Sequence, residues 1–144
     1  MGSEMSDASY PPAIRRWFEL AKARDPSGLD DLLADEVVFE SPVVHTPQRG
    51  KAITKAYLGA ALSVLGNESF RYVGFWRAES SAVLEFETVI DGILVNGVDI
   101  VAWNTQDRIV SFKVMARPWK GLETLRGKMA AMLEAMKAGG ARSA

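Results

Sequence analysis

The sequence has no cysteine, one histidine, no surplus of either charge and no long hydrophobic run, and each absence removes a class of chemistry. Without cysteine there are no disulfide scaffolds, thiolate zinc sites, iron–sulfur clusters or cysteine nucleophiles. A lone His45 excludes any site built on two imidazoles, so no metal site is expected. Lys and Arg total 17 against 18 Asp and Glu, a net charge of −1. The basic surplus that neutralises nucleic-acid phosphates is therefore missing, and no nucleic-acid partner is expected. No apolar run approaches the ~18 residues of a membrane span, so no membrane partner is expected either. The stretch Met1-Gly2-Ser3-Glu4-Met5-Ser6 lacks a basic-then-apolar leader, which predicts a cytoplasmic protein. No glycine loop of the phosphate-cradling kind is present, and no cofactor is expected.

What is there is ordinary globular chemistry: 144 residues, 48% hydrophobic and 24% charged. That length suits one domain, placed at residues 10–138. A disordered or tag-like N-terminus is expected over 1–9 and a flexible tail over 139–144. Pro11-Pro12 announce a helix whose Ile14, Trp17, Phe18 and Ala21 form one apolar stripe, and Asp25-Pro26 stops it. Ser27 is expected to cap a short second helix burying Leu29, Leu32 and Leu33. Val37 to Ser41 reads as a strand, followed by a polar loop and a third helix over about Ala52 to Leu65. Four strands are expected at about Phe70–Ala78, Ala82–Ile90, Ile93–Trp103 and Arg108–Arg117. Asp91-Gly92 makes a tight hairpin turn, and Asn96-Gly97 reads as a bulge. Trp119 to Lys137 is helical, with Leu122, Leu125, Met129, Met132 and Met136 packing on the domain's own sheet rather than on a partner coiled coil. The order predicts an α+β fold, in which a curved, mostly antiparallel sheet wraps helices into a cone with a small-molecule pocket.

Asp99 is the unusual residue, because it interrupts the apolar run Val98-Asp99-Ile100-Val101-Ala102-Trp103. Period-2 alternation sets Asp99, Val101 and Trp103 on one face and Val98, Ile100 and Ala102 on the other. If the first face lines the cone, desolvation raises the carboxyl's pKa and makes it a neutral hydrogen-bond donor; if not, it is an exposed side chain beside Lys113. Glu85 and Glu87 alternate with Leu84, Phe86 and Thr88 and face outward. On the last strand, Val110, Phe112, Val114 and Ala116 are the expected cavity wall. His45 titrates near neutral and is a candidate acid or base at the pocket mouth, against the blander reading of a solvated loop residue. Glu40 and Ser41 point to opposite faces, so one of them alone enters the pocket.

The segment order resembles the NTF2-like (SnoaL-like) superfamily and, within it, the ketosteroid isomerases. The resemblance spans about Ile14 to Trp119 and is carried by Arg16-Trp17-Phe18-Glu19-Leu20, by Ala34-Asp35-Glu36-Val37-Val38-Phe39-Glu40-Ser41-Pro42, and by Val98-Asp99-Ile100. It implies an oxyanion hole of a tyrosine and a protonated aspartate, plus an aspartate base. The protonated aspartate falls on Asp99, the base on Ser41 and the tyrosine on Trp17, so two of the three groups are replaced. Tyr57 lies near another pocket tyrosine of the family and is a candidate partner for Asp99. The superfamily's epoxide hydrolases carry an Arg-x-Asp pair, where this chain has Gly97 before Asp99.

Two functions follow as expectations. One is a cofactor-independent isomerase, lyase or cyclase acting on an apolar carbonyl compound, with Asp99 and His45 as its catalytic groups; steroid isomerisation in the family's usual form is not expected. The other is a non-catalytic domain binding an apolar ligand. In either, Trp17, Ser41, Tyr57, Phe86, Val101, Trp103, Phe112 and Val114 line the pocket. The resemblance also implies a homodimer through the outer sheet face, where Ile100, Ala102 and Met115 supply apolar area among Glu85, Glu87 and Lys113.

Overall fold

The computed structural model describes residues 9–143, with side chains over 9–138. Residues 1–8 and residue 144 lie outside it, as does most of the expectation for the N-terminus. Pro12 opens helix α1 (Pro12–Ala23), which buries Ala13, Ile14, Trp17 and Phe18 and ends on a left-handed Arg24. The cap that follows belongs to Asp25 and not to Ser27. The Asp25 carboxylate accepts from the Ser27 backbone N–H at 3.0 Å, starting a 3₁₀ turn (Pro26–Gly28) that leads into α2 (Leu29–Leu32). Asp25 sits one residue before proline in an extended conformation, which frees its side chain to reach forward.

Strand β1 (Leu33–Glu40) begins earlier than its β-branched core suggests, and the polar loop after it contains a two-residue strand β2 (Gln48–Arg49). Helix α3 (Lys51–Leu65) is followed by β3 (Arg71–Arg77), β4 (Ser81–Ile90), β5 (Ile93–Trp103) and β6 (Ile109–Arg117). The six strands form one sheet in the order β2-β1-β6-β5-β4-β3. Only the β1–β6 pairing is parallel. This is the expected α+β architecture, with α1 and α3 packed on the concave face.

Two expectations about strand register are corrected. Asn96-Gly97 is not a bulge: Phe86 pairs with Gly97 and Glu87 with Asn96 in unbroken register. Gly97 is needed for space instead, since a Cβ there would stand 2.6 Å from Phe86 Cζ and collide with the Met115 carbonyl oxygen. Asn96 is held as a strand residue by its side-chain amide, which donates to Glu85 Oε2 at 2.9 Å and to the Phe86 carbonyl at 3.1 Å. A bulge does occur at Val110, because Ala102 pairs with Ser111 while Trp103 pairs with Ile109. It turns Ile109 inward and leaves Val110 half-buried, so the inner wall of β6 is Ile109, Phe112 and Val114. The hairpin at Asp91-Gly92 has both residues at positive φ, 51° and 78°, as a type I′ turn requires.

The last helix, α4 (Trp119–Ser143), runs past residue 137, where the apolar spacing ends; the expectation for 139–144 falls where no side chain is described. It packs on α3 and on β5, burying Leu125 and Met129. Gly121 lets its first turn close on the sheet, since a Cβ there would lie 3.1 Å from the Leu94 carbonyl oxygen. Lys128 pairs with Asp91 of the hairpin turn at 3.0 Å. Among the described residues no helix is long and apolar enough to cross a membrane.

Candidate functional site

Strand β5 alternates as its sequence predicts. Val95, Gly97, Asp99, Val101 and Trp103 are buried, while Asn96, Val98, Ile100 and Ala102 are half-buried on the outer face. Asp99 is 5% exposed, flanked by Leu84 of β4 and Val114 of β6. Its carboxyl lines a cavity between the sheet and helices α1 and α3, with about 420 Å³ of empty space including the open side. Trp17, Phe86, Phe112 and Val114 form its inner wall. Ala21, Leu65, Gly66 and Phe70 border it where α1, the end of α3 and the entry to β3 meet.

The polar end of this cavity is a relay of three side chains. Trp17 Nε1 donates to the Tyr72 hydroxyl oxygen at 2.8 Å, and the Tyr72 hydroxyl donates to Asp99 Oδ2 at 2.6 Å. No other hydrogen bond reaches the carboxyl among the described residues. Burial pushes the Asp99 pKa up to about 7, with the Tyr72 hydrogen bond holding it back from going higher. Burial, followed by the Asp99 charge, pushes the Tyr72 hydroxyl well above its usual value. Aromatic rings fix the tyrosine: Phe70 meets it edge-on at 5.1 Å and Phe18 at a tilt at 5.1 Å. Trp17 is held edge-on against Phe112 at 4.9 Å.

Tyr72 is the site residue that sequence reasoning missed. Simple alternation puts Tyr72, Gly74 and Trp76 on one face, yet Tyr72 pairs with Phe86, Gly74 with Glu85 and Trp76 with Val83. The extra residue Val73 turns Tyr72 inward while Gly74 and Trp76 face out. The signal that could have found it is the need of a buried carboxyl for a donor, with a tyrosine on a strand of the same sheet.

The other candidates lie elsewhere. Tyr57 stacks at a tilt on Phe39, 5.5 Å away, and is not the hydrogen-bond partner of Asp99. Val101 and Trp103 are buried on the inner face of β5 but do not line this cavity. Ser41 follows the end of β1, its Oγ accepting from the Val43 N–H at 3.1 Å. Glu40 points to the outer face, 3.9 Å from Lys113. His45 is exposed in the loop between β1 and β2 and does not line the cavity. Among the described residues no group of three or more acidic or histidine side chains is placed to hold a metal ion.

Comparison with known proteins agrees with this geometry. The SnoaL-like domain family matches residues 14–112. The crystal structure of a steroid delta-isomerase from Pseudomonas aeruginosa is similar, with 33% identity, a TM-score of 0.84, and 92% of this chain and 96% of that chain covered. An uncharacterised protein with a cystatin-like fold from Silicibacter pomeroyi matches at 31% identity and a TM-score of 0.79, covering 86% of each chain. The epoxide hydrolase/cyclase-like enzyme SalBIII shares the fold alone, at 15% identity and a TM-score of 0.60, with 73% of this chain and 88% of that chain covered. No curated protein matches the chain. A mostly antiparallel sheet packed by α1 and α3, a family match over residues 14–112 and a 33% identical relative covered almost end to end together place this chain in the SnoaL-like family.

Proposed function

We propose that this protein is a cofactor-independent proton-transfer enzyme, an isomerase, lyase or cyclase, acting on an apolar molecule that bears one carbonyl group. The observation that carries the reading is a carboxyl and a phenol joined at the one polar end of an otherwise apolar cavity. A carboxyl titrating near 7 is divided between its two forms at neutral pH, so it can take a proton from carbon and return it. In the forward step a C–H bond beside the carbonyl breaks and the proton passes to Asp99. The bonding pair moves into a carbon–carbon double bond, and charge collects on the carbonyl oxygen. The newly protonated Asp99 carboxyl donates to that oxyanion, while Tyr72 keeps its hydrogen bond to Oδ2. Return of the proton to a different carbon completes an isomerisation.

The similarity to a steroid delta-isomerase supports this reading. Asp99 takes the proton-carrying role because the alternatives are engaged or distant from the cavity. Ser41 has no adjacent base, and His45 is exposed in its loop. The test is a panel of β,γ-unsaturated ketones with one to four rings, followed by the absorbance of the conjugated product. The enzyme reading requires turnover by the parent protein and a loss of about 10²-fold or more in Asp99→Asn. Ligand-induced thermal stabilisation without turnover would instead establish the second reading, a binding domain. That reading is favoured by the absence of a further titratable group among the cavity-lining side chains.

The outer face belongs to the same proposal, as the site of a homodimer. Val83, Val98, Ile100 and Ala102 are half-buried there, beside Trp76 and Met115, which are 57% and 51% exposed. Met115→Arg is expected to convert a dimer into a monomer in light scattering.

A further inference from the structure

We propose that Trp17 is a positioning residue that fixes the direction of the Tyr72 proton, so that Asp99 receives it at Oδ2 and exchanges its own proton with the ligand at Oδ1. The argument rests on donor and acceptor inventories. An indole N–H donates and cannot accept, whereas a tyrosine hydroxyl has one proton and can do both. With Trp17 Nε1 at 2.8 Å from the Tyr72 oxygen, that oxygen is committed as an acceptor on this side. Its one proton then points at the remaining polar neighbour, Asp99 Oδ2 at 2.6 Å. Oδ2 is thereby occupied, and Oδ1 is left without a partner among the described residues, in a side chain that lines the cavity.

Without the indole N–H the hydroxyl is free to turn round. A protonated Asp99 could then place its proton on Oδ2 and donate to the Tyr72 oxygen, and the exchangeable proton would no longer face the ligand. The tryptophan also polarises the phenol, which strengthens its donation to the carboxylate. Among the described residues no charged side chain besides Asp99 lines this cavity. Leu84 and Val114 flank Asp99 from β4 and β6, α3 contributes Ala61, Leu62 and Leu65, and Tyr72 is the other titratable lining group.

The catalytic consequence rests on the proton-transfer reading above, but the hydrogen-bond direction does not, and the experiment separates them. Trp17 is replaced by benzothienylalanine, which keeps the fused-ring shape and exchanges the N–H for sulfur. The Asp99 carboxyl is then titrated by carbon NMR in the parent and in this variant. Loss of one polarising hydrogen bond is expected to raise the midpoint by roughly half to one pH unit. The acid limb of any enone turnover should move by the same amount. Trp17→Phe gives a second measurement of the same midpoint if the unnatural side chain prevents folding. An unmoved midpoint in whichever variant folds overturns the inference. A raised midpoint without turnover by the parent protein leaves the relay standing and removes the enzymatic reading.

Discussion

Asp99 and Asp30 are the same side chain in two regions of the molecule, and they ionise in opposite directions. Asp99 lies on the inner face of β5 with no cation beside it among the described residues, and burial lifts its pKa to about 7. Asp30 lies on the surface of α2, where Lys55 of α3 bonds it at 3.1 Å and Lys51 adds its charge, so its pKa falls below the ordinary value. The difference teaches where this fold keeps its reactive carboxyl. A cation would hold the acid ionised and inert as a proton donor, whereas an apolar wall and a neutral phenol leave it poised between its forms. Gly97 and Gly127 make a parallel pair. The first is pressed against Phe86 and the β6 backbone, while a Cβ on the second would meet open space.

The largest effect expected from breaking this comparison is at Asp99 itself. The folded carboxyl titrates near 7 and the unfolded one near ~3.9, so the folded state holds an extra proton between those values. Stability contributed by this group is therefore complete below about pH 4 and is lost as pH rises through about 7, a swing on the order of 4 kcal/mol. Urea unfolding of the parent protein at pH 5 and pH 8 should record part of that loss. Asp99→Asn, which keeps an acceptor for Tyr72, should remove the slope and be the more stable protein at pH 8. Next is Gly97→Ala, whose methyl would force Phe86 from its place and cost about 1–3 kcal/mol in the same measurement. Smaller and opposite in sign is Gly127→Ala, expected to stabilise α4 by about 1 kcal/mol, read as a raised melting temperature. Smallest is Asp30→Asn. Because the folded pKa is lowered, its contribution is present above the unfolded value and lost as pH falls through the folded one. The variant should be slightly less stable than the parent near neutral pH and match it in acid, where the parent's carboxyl is protonated, a difference that salt erases.

Much of the fold was legible because its signals are local. The Asp91-Gly92 turn and the strand run from Ile93 to Trp103 are patterns within one element, and the structure follows both; the α4 stripe is buried at Leu125 and Met129 but exposed at Met136. That Asp99 shares a face with Val101 and Trp103 follows from the same rule, since alternation along a strand needs no knowledge of its neighbours, but the rule leaves open which face looks inward. The misreadings share another cause. At Val110 one extra residue turns the side chains to the other face, as another does at Val73 beside the overlooked Tyr72, and such an insertion is defined by the strand alongside. At Asn96-Gly97 the error ran the other way: a turn-like pair was read as a bulge, although its glycine makes room for the Phe86 ring across the strand.

By itself, then, the sequence determined the chemical inventory and which side chains of the strand share a face with Asp99. Absence of cysteine, a single histidine and a strand periodicity are properties of composition and of the extended backbone. Tertiary structure alone decided what that carboxyl meets. Trp17 and Tyr72 are 55 residues apart, and Tyr72 and Asp99 are 27 apart, joined by a bulged strand pairing and a helix laid across the sheet. Hydrogen-bond direction arises between side chains that only folding brings within 3 Å, so no local pattern encodes it.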